Sequence, residues 1–520
     1  MTAYRDETRR RIASTLQAAE DRFDKLLKLS GISPFSQLRS ADLRDVNFEG
    51  ANLVGWDFRE ANLTGASFQG ADIRGCLFDG AIGLDLTGAI SSNPANIRIP
   101  TPEISYRGAA LCVDGVSVNR LADAVQTPFY CYSSTAIERR YREFIDAFRG
   151  EAALVCYALK ANSNQSILTT LGKLGSGATV ASGGELKRAL AAGISPEKIV
   201  FSGVGKTESE MRAALAANIY CINVESEPEL ELLSRLAVEA GRTARVSLRI
   251  DPSDARTASI ISASTLENKF GIPIAAARTI YARAATLSGI GVTGISMHIG
   301  SQITDIQWLE ASCRTLVEFA HALRADGHNI AHVNFGGGVG IPYYFDRQAS
   351  PTTNEYAAMI KRITHNLGCT LLFEPGRMIV GAAGILATRV IYVKSSMHKH
   401  FVIVDAAMND LLRPTLYEAH HEILPAVQPA ADAPTIVADV VGPVCETGDY
   451  MALDRKLWTP EAGDLLAIMT AGAYSAAQST TYNTRPLIPE VLVRDDQYAL
   501  IRPRVEVEQL IAMDRAAPWQ

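Results

Sequence analysis

Lys160 is the residue whose type and position most directly suggest chemistry. It follows the apolar run Leu154–Leu159, which carries its ammonium group to the point where a buried strand would meet solvent. Partial loss of water around an amine lowers its pKa and provides the neutral form that attacks an aldehyde. Taken alone, the same position also suits an ordinary strand-end lysine whose charged end reaches water.

Other reactive groups also stand at the ends of apolar runs. His298 ends one run, Gly336–Gly338 follow a second, and Glu374 and Arg377 follow a third. Consecutive glycines let backbone N–H groups approach an anion such as phosphate, although a tight turn would also account for them. The histidine could stack on a ring, or it could be a core residue whose ring nitrogens are hydrogen-bonded. Glu374 suits a bond to a ring nitrogen or a pair with Arg377.

Eight short apolar runs alternate with helical patterns and predict a closed (β/α)8 barrel. The carboxyl ends of such strands meet at one rim, which brings these reactive groups together. The runs are Leu154–Leu159, Ala178–Ala181, Ile199–Ser202, Ile219–Val224, Ala244–Ile250, Val292–His298, Ala331–Phe335 and Thr370–Phe373.

The pattern after Gly384 changes to strands separated by glycine, proline and aspartate turns, which predicts a separate β-domain. The expected divisions are an amphipathic helix (1–34), a repeat module (35–90), a linker (91–104), a strand segment belonging to the β-domain (105–133), the barrel (134–384) and the C-terminal β-domain (385–520).

A strict five-residue period precedes the barrel. It resembles a pentapeptide-repeat β-helix, in which each four-sided coil buries two apolar positions of every pentapeptide. No acid, base or nucleophile recurs in register, so we predict a packing or docking module that could bind a protein partner. The centres of the period are Leu43, Phe48, Leu53, Phe58, Leu63, Phe68, Ile73 and Phe78.

Composition excludes several classes of protein. Lys plus Arg total 50 against 56 Asp plus Glu in 520 residues, a net charge of −6 with no long single-sign run, which does not favour nucleic acid. The N-terminus lacks the apolar core of a signal peptide, and no apolar run is long enough to span a bilayer. Eight dispersed cysteines without a Cys-x-x-Cys pair indicate neither a metal site nor disulfides and favour a reducing cytoplasm.

Taken together, the motifs resemble the fold-type III pyridoxal-phosphate (PLP) decarboxylases, and those of the C-terminal part resemble the diaminopimelate decarboxylase family in particular. The resemblance runs from about Pro102 to Arg504. Its motifs are Tyr157–Asn162, Ser182–Glu185, His298–Gln302, Gly336–Gly338, Glu374–Arg377, Arg413–Tyr417, Cys445–Asp449, Gly472–Tyr474 and Tyr482–Pro486.

The resemblance implies a role for each site residue. Lys160 would bind the cofactor aldehyde, His298 would stack on the ring, and Glu374 would pair with the ring nitrogen. The remaining cofactor contacts would come from Ser301, Gly336, Gly337, Gly338, Gly376, Arg377 and Tyr474. The substrate contacts would come from Arg377, Arg413, Tyr417, Glu446 and Tyr474, with Cys445 as a proton donor from the other subunit of a homodimer. The implied reaction converts meso-diaminopimelate to L-lysine and carbon dioxide.

Three features depart from the family pattern. Thr179 stands where related basic-amino-acid decarboxylases have an aspartate, the loop Asp251–Lys269 is loosely matched, and the segment before Pro102 is additional. Removal of residues 1–100 is therefore predicted to leave decarboxylation intact. The alternatives are a decarboxylase of the same fold acting on another amino acid or a carrier-bound one, and a non-catalytic PLP-binding or scaffold protein.

Overall fold

The computed structural model of the protein describes residues 38–51, 53, 56–73, 76, 78, 80–87, 89, 98–251, 269–345, 350–396 and 399–520. The predicted N-terminal helix, residues 91–97 of the predicted linker and residues 252–268 of the loosely matched loop lie outside the described residues. Within the described part, no helix is both long and apolar enough to cross a membrane.

The repeat module forms the predicted β-helix. Parallel bridges join Asp42 to Asn62 and Asn62 to Ile82, so one coil takes twenty residues, or four pentapeptides. The described central residues from Leu43 to Phe68 are at most 1% exposed. Aromatic rings one coil apart stack on each other, with centroids 4.8 Å apart for Phe48 and Phe68. Burial at both apolar positions therefore explains the five-residue period.

In the described segment from residue 98 to the barrel, four strands and two helices precede the first barrel strand. They are β1 (Ile104–Arg107), β2 (Ala110–Val113), β3 (Val116–Ser117), α1 (Val118–Val125), β4 (Phe129–Ser133) and α2 (Ser134–Ala147).

The predicted (β/α)8 barrel is confirmed. Its strands are β5 (Ala153–Ala158), β6 (Gly177–Val180), β7 (Ile199–Phe201), β8 (Cys221–Val224), β9 (Ala244–Asp251), β11 (Ile290–Met297), β12 (His332–Asn334) and β13 (Thr370–Phe373), and β10 (Ile272–Pro273) adds to β9. All pair in parallel, and the pairing of β8 with β9 closes the ring. Every residue of β6, β7 and β8 is buried, because helices cover the outside of the barrel and side chains fill its interior.

Six of the eight helices given below for the barrel start at a polar side-chain cap, and the exceptions start at Pro273 and Gly376. Ser182, for example, accepts a hydrogen bond from the backbone N–H of Glu185, and Thr207 and Glu210 form a complete capping box. The helices are α3 (Gln165–Lys173), α4 (Gly183–Ala191), α5 (Glu208–Ala217), α6 (Glu227–Glu239), α7 (Ile274–Thr286), α8 (Ile306–Ala325), α9 (Thr353–Thr364) and α10 (Arg377–Val380).

The β-domain combines the C-terminal strands with β4. Its main sheet has the order β18-β17-β15-β14-β4-β20-β21, and β19 pairs with both β14 and β16. Strand β4, which precedes the barrel in sequence, therefore lies inside this sheet. The C-terminal elements are β14 (Gly384–Ser395), β15 (His400–Val404), α11 (Arg413–Tyr417), β16 (Ile423–Pro425), β17 (Thr435–Val441), β18 (Tyr450–Trp458), β19 (Leu465–Ile468), β20 (Glu490–Arg494), β21 (Gln497–Arg502) and α12 (Val507–Ile511).

Candidate active site

A cavity of about 1570 Å³ lies at the carboxyl ends of the barrel strands. Small-molecule sites usually occupy about 300–1,000 Å³, so it has room for more than one small ligand. The cavity brings together twelve of the predicted site residues. They are Lys160, His298, Ser301, Gly336, Gly337, Gly338, Glu374, Gly376, Arg377, Arg413, Tyr417 and Tyr474.

Lys160 projects into this cavity from a single helical turn, Leu159–Ala161, that directly follows β5. Removal of water by the surrounding protein lowers the pKa of its ammonium group, while the negative charge of Glu374 acts in the opposite direction. The balance favours the neutral amine relative to a lysine in water. Such an amine can attack an aldehyde.

His298 follows β11 and also lines the cavity. Burial lowers its pKa to about 3, and the positive charges of Lys160 and Arg249 add to that effect. The backbone N–H of Gly337 points to its Nδ1 atom at 3.4 Å, the outer limit of a hydrogen bond. The imidazole is therefore neutral at physiological pH, and a neutral ring can lie against an aromatic ligand without desolvating a charge.

The glycine turn after β12 has a geometry that larger residues cannot adopt. Gly336 and Gly338 have positive φ values of 64° and 95°. A Cβ atom on Gly337 would lie 2.4 Å from the carbonyl oxygen of Glu374, and one on Gly338 would lie 2.3 Å from that of Gly300. Glycine at these positions therefore lets the turn pack directly against the backbone of Glu374 and Gly300, and no side chain of the turn projects into the cavity that it lines.

Glu374 follows β13 and is fixed by its neighbour in the barrel. The amide Nδ2 of Asn334 donates to Glu374 Oε1 at 2.8 Å, while Asn334 Oδ1 accepts the N–H of Gly336 at 2.8 Å. One asparagine therefore holds both the carboxylate and the start of the glycine turn. Thr179, the departure noted in the sequence, has a buried hydroxyl without a hydrogen-bond partner among the described residues.

Arg377 joins groups from both sides of the cavity. Its guanidinium donates to the hydroxyl of Ser301 at 2.8 Å and to that of Tyr343 at 2.5 Å. It also lies 4.7 Å from the centroid of the Tyr474 ring. These contacts hold the charge in place by hydrogen bonds and by the face of an aromatic ring.

Arg413 starts α11 and is only 6% exposed. Its Nη1 donates to Nε2 of His421 at 2.7 Å, and its guanidinium lies 4.5 Å from the centroid of the Tyr343 ring. Nδ1 of His421 donates to the carbonyl oxygen of Met469, which leaves Nε2 as the acceptor. Burial lowers the pKa of His421 well below its ordinary value, so the ring stays neutral.

Arg377 and Arg413 have no acidic partner among the residues that the structure describes. No carboxylate of a described residue lies within 4.0 Å of the guanidinium of Arg377 or Arg413. Buried charges are normally paired, because their transfer out of water is unfavourable. The cavity wall therefore presents positive charge that suits an anionic group of a ligand.

Two predicted site residues lie elsewhere. Cys445 is exposed, and neither it nor Glu446 lines the cavity of its own chain. The carboxylate of Glu446 accepts a hydrogen bond from the hydroxyl of Thr447, which lowers the pKa of that carboxyl. Another acidic residue, Glu225, directly follows strand β8, and its carboxylate forms an ion pair with Arg249.

Sequence reasoning missed three residues that organise the site. Tyr343 lies between Arg377 and Arg413, His421 holds Arg413, and Asn334 holds Glu374. Asn334 stands at the end of an apolar run, which is a signal that strand-end reasoning can use. Tyr343 and His421 follow no such pattern.

A (β/α)8 barrel with a lysine and a glycine turn at its rim, joined to a β-domain, defines the class of PLP-dependent decarboxylases. Residues 134–381 match the family "Pyridoxal-dependent decarboxylase, pyridoxal binding domain", and residues 41–80 match eight copies of "Pentapeptide repeats". The chain is 48% identical over 415 residues to the diaminopimelate decarboxylase of Pseudomonas aeruginosa, which covers 80% of this chain and 99% of that protein. The chain belongs to the diaminopimelate decarboxylase family.

Two further comparisons agree with this assignment. The diaminopimelate decarboxylase of Zymomonas mobilis is 45% identical over 419 residues, covering 80% of this chain and 99% of that protein. The crystal structure of diaminopimelate decarboxylase from M. jannaschii in co-complex with L-lysine matches with a TM-score of 0.78 and 36% identity. It covers 81% of this chain and 100% of that one.

The residues present fit pyridoxal phosphate, the cofactor of the class. The glycine turn lines the cavity without side chains, so a phosphate group could approach its backbone closely. Lys160, with its lowered pKa, supplies the amine, and Glu374 supplies a fixed carboxylate. The three groups line one cavity with the neutral ring of His298.

Proposed function

We propose that this chain decarboxylates meso-2,6-diaminopimelate to L-lysine and carbon dioxide, as a step of lysine biosynthesis. The observation that carries the proposal is the pair of cavity-lining guanidiniums, Arg377 and Arg413, without carboxylate partners among the described residues. Diaminopimelate has a carboxylate at the end that does not react, and this group would supply the missing anionic partner. Membership of the family supports the same substrate.

On this proposal, the cofactor is held by residues of the barrel rim. These residues line the cavity, where Lys160 would offer its amine to the aldehyde, the turn Gly336–Gly338 and Ser301 would hold the phosphate, and His298 would stack on the ring. Glu374 would keep the ring nitrogen protonated. Bound PLP supplies an electron sink for the electron pair that remains when carbon dioxide leaves. Gly376, Arg377 and Tyr474 complete the wall around it.

The far end of the substrate would be held by Arg413, Arg377 and Tyr417. Arginine presents a planar fork that binds both oxygens of a carboxylate. The contact of His421 with Nη1 limits rotation of the Arg413 guanidinium and keeps its orientation toward the cavity. An amino acid without a distal carboxylate would leave this charge without a partner and bind less well.

The second half of the site would come from another copy of the chain, in a cytoplasmic homodimer. Cys445 and Glu446 lie on an exposed loop, and the hydroxyl of Thr415 on α11 donates to the carbonyl of Gly448 in this loop. In the dimer, Cys445 of the partner subunit would donate a proton and Glu446 of the partner subunit would meet the distal ammonium. The described cysteines form no disulfide bond with one another, which suits a reducing compartment.

Carbon dioxide release tests the proposed function. Purified protein with PLP is offered meso-diaminopimelate, L-ornithine, L-arginine and L-lysine in parallel, and we expect turnover of diaminopimelate alone. Turnover of another amino acid would assign the chain to a different decarboxylase of the same fold. Inactivity on all four would favour a carrier-bound substrate or a PLP-binding scaffold.

Mixing two inactive variants tests the shared site. Each heterodimer of Lys160→Ala and Cys445→Ala contains one site with both native residues, so co-expression should restore about a quarter of the wild-type activity. The matched control is Lys160→Ala with Arg413→Ala, which should restore none because both residues line the cavity of one chain. Failure of the first pair to recover activity, with heterodimers isolated by two tags, would place Cys445 outside the shared site.

A further inference from the structure

The repeat module contributes to the wall of the active-site cavity. Trp56 and Asp72, both from the pentapeptide repeats, line the same cavity as Lys160 and Arg413. Trp56 is only 7% exposed. A module that merely preceded the enzyme in sequence would not need to close against the catalytic rim. Its position differs from the prediction that it stands apart from catalysis.

An arginine on the same coil as Trp56 attaches the module to the catalytic unit. Arg59 binds Asp57 of the module through Nε at 2.9 Å and Nη2 at 2.7 Å, and Nη2 also forms an ion pair with Glu418. The side chains of Arg59 and Asp57 are 13% and 6% exposed. A second arginine, Arg39, lies 3.7 Å from Glu418. Arg59 is thus shielded from water on the module side, whereas the side chain of Glu418 is 47% exposed.

Glu418, the acceptor of this ion pair, lies next to the residues expected to bind the substrate. Glu418 immediately follows α11, the helix that carries Arg413 and Tyr417. Its φ of 51° is in the left-handed region, where glycine or asparagine usually ends a helix. A longer acidic residue at this position gains its stabilisation from the arginines of the module. The module thus holds the end of the helix that would grip the substrate.

On the other side, α11 is tied to the β-domain through the hydrogen bond from Thr415 to Gly448. The helix is therefore held between two parts of the chain, one of which is the repeat module. A small shift of α11 would move Arg413 and Tyr417 together, because both belong to its five residues. Cofactor contacts from the barrel strands would not shift with it.

We propose that the repeat module is a fixed wall of the substrate entrance, and that Arg59 and Glu418 are positioning residues that orient α11 for binding of the distal carboxylate. The choice of carboxylate as ligand rests on the proposed function. The module then acts on the substrate end of the cavity without touching the reacting atoms.

Two arginines of the module provide a matched comparison. Arg44 holds Asp42 through the same two atoms as Arg59 holds Asp57, at 2.8 and 2.6 Å, but it forms no hydrogen bond or ion pair with a described residue of the catalytic unit. We expect Arg59→Ala to weaken L-lysine binding, measured by calorimetry, and to raise the KM for diaminopimelate, each by about threefold to tenfold. The kcat and the PLP affinity should stay unchanged, and Arg44→Ala should match the wild type in all four quantities.

Two substitutions of Glu418 separate the ion pair from backbone strain. Glu418→Gln and Glu418→Gly both remove the carboxylate, but only glycine relieves the left-handed conformation. Equal weakening of L-lysine binding in both variants would support the ion pair. Unchanged binding in Glu418→Gln, or a parallel loss of PLP affinity, would overturn the proposal.

Quenching of Trp56 by acrylamide tests the wall without any ligand. The Trp56 signal is the fluorescence difference between each protein and its Trp56→Phe counterpart. Arg59→Ala should increase the quenching of this signal, whereas Arg44→Ala should not. If the wild type binds no L-lysine but Arg59→Ala still exposes Trp56, the proposed substrate is wrong, whereas the module is still a wall of the cavity. Unchanged quenching would contradict the proposal that Arg59 holds the module against the cavity.

Discussion

Replacement of Lys160 by alanine is expected to abolish decarboxylation and the long-wavelength absorbance of the bound cofactor together. The lowered pKa of Lys160 gives the cavity a neutral amine, and alanine supplies no nucleophile in its place. We expect the rate to fall on the order of a thousandfold or more. Carbon dioxide release and the absorbance spectrum of the purified variant measure the two effects.

Two other lysine variants make the result specific. Lys187 lies on the exposed face of α4, so Lys187→Ala should retain both the rate and the spectrum. Lys160→Arg keeps a positive charge in the cavity but removes the amine, so it should resemble Lys160→Ala. A Lys160→Ala protein with native circular dichroism and an unchanged spectrum would show that another amine holds the cofactor.

The barrel was predictable because its strands are buried on both faces. Continuous apolar runs are the local consequence of that burial, and Thr370–Phe373 has the same bounds in the sequence interpretation and in the structure. Residues after such runs meet at the rim, so Lys160, His298 and Glu374 could be grouped without coordinates. The five-residue period of the module could also be recognised from neighbouring residues alone.

The sequence does not reveal contacts between distant segments. Tyr343 lies between Arg377 and Arg413 because a loop after β12 meets α11 of the β-domain, and neither partner has a period that points to the other. His421 follows no strand-end rule, although its contact orients Arg413. The same reason applies to Arg59 and Glu418, which are hundreds of positions apart in sequence.

Replacement of Arg413 by alanine is expected to separate substrate binding from cofactor binding. The guanidinium is 6% exposed, and its partners His421 and Tyr343 leave its charge without a carboxylate among the described residues. Loss of a desolvated carboxylate–arginine pair should reduce kcat/KM for diaminopimelate about a hundredfold. The PLP affinity, measured by absorbance titration, should stay within about twofold, because none of the residues expected to contact the cofactor lies on α11. The kcat/KM of Arg413→Lys should lie between that of the wild type and that of Arg413→Ala, because lysine keeps the charge but lacks the planar fork.

A pair of ligands can then assign the effect to the carboxylate itself. L-Lysine keeps the α-carboxylate that the clamp would hold, whereas 1,5-diaminopentane has the same chain and two amines without that group. Arg413→Ala should weaken L-lysine binding about a hundredfold and leave 1,5-diaminopentane nearly unchanged, since a double-mutant cycle isolates the interaction between the two removed groups. Equal weakening of both ligands would mean that the variant disturbs the cavity as a whole. If Arg413→Ala weakens the binding of neither ligand, the carboxylate binds elsewhere and the buried charge of Arg413 has a structural role.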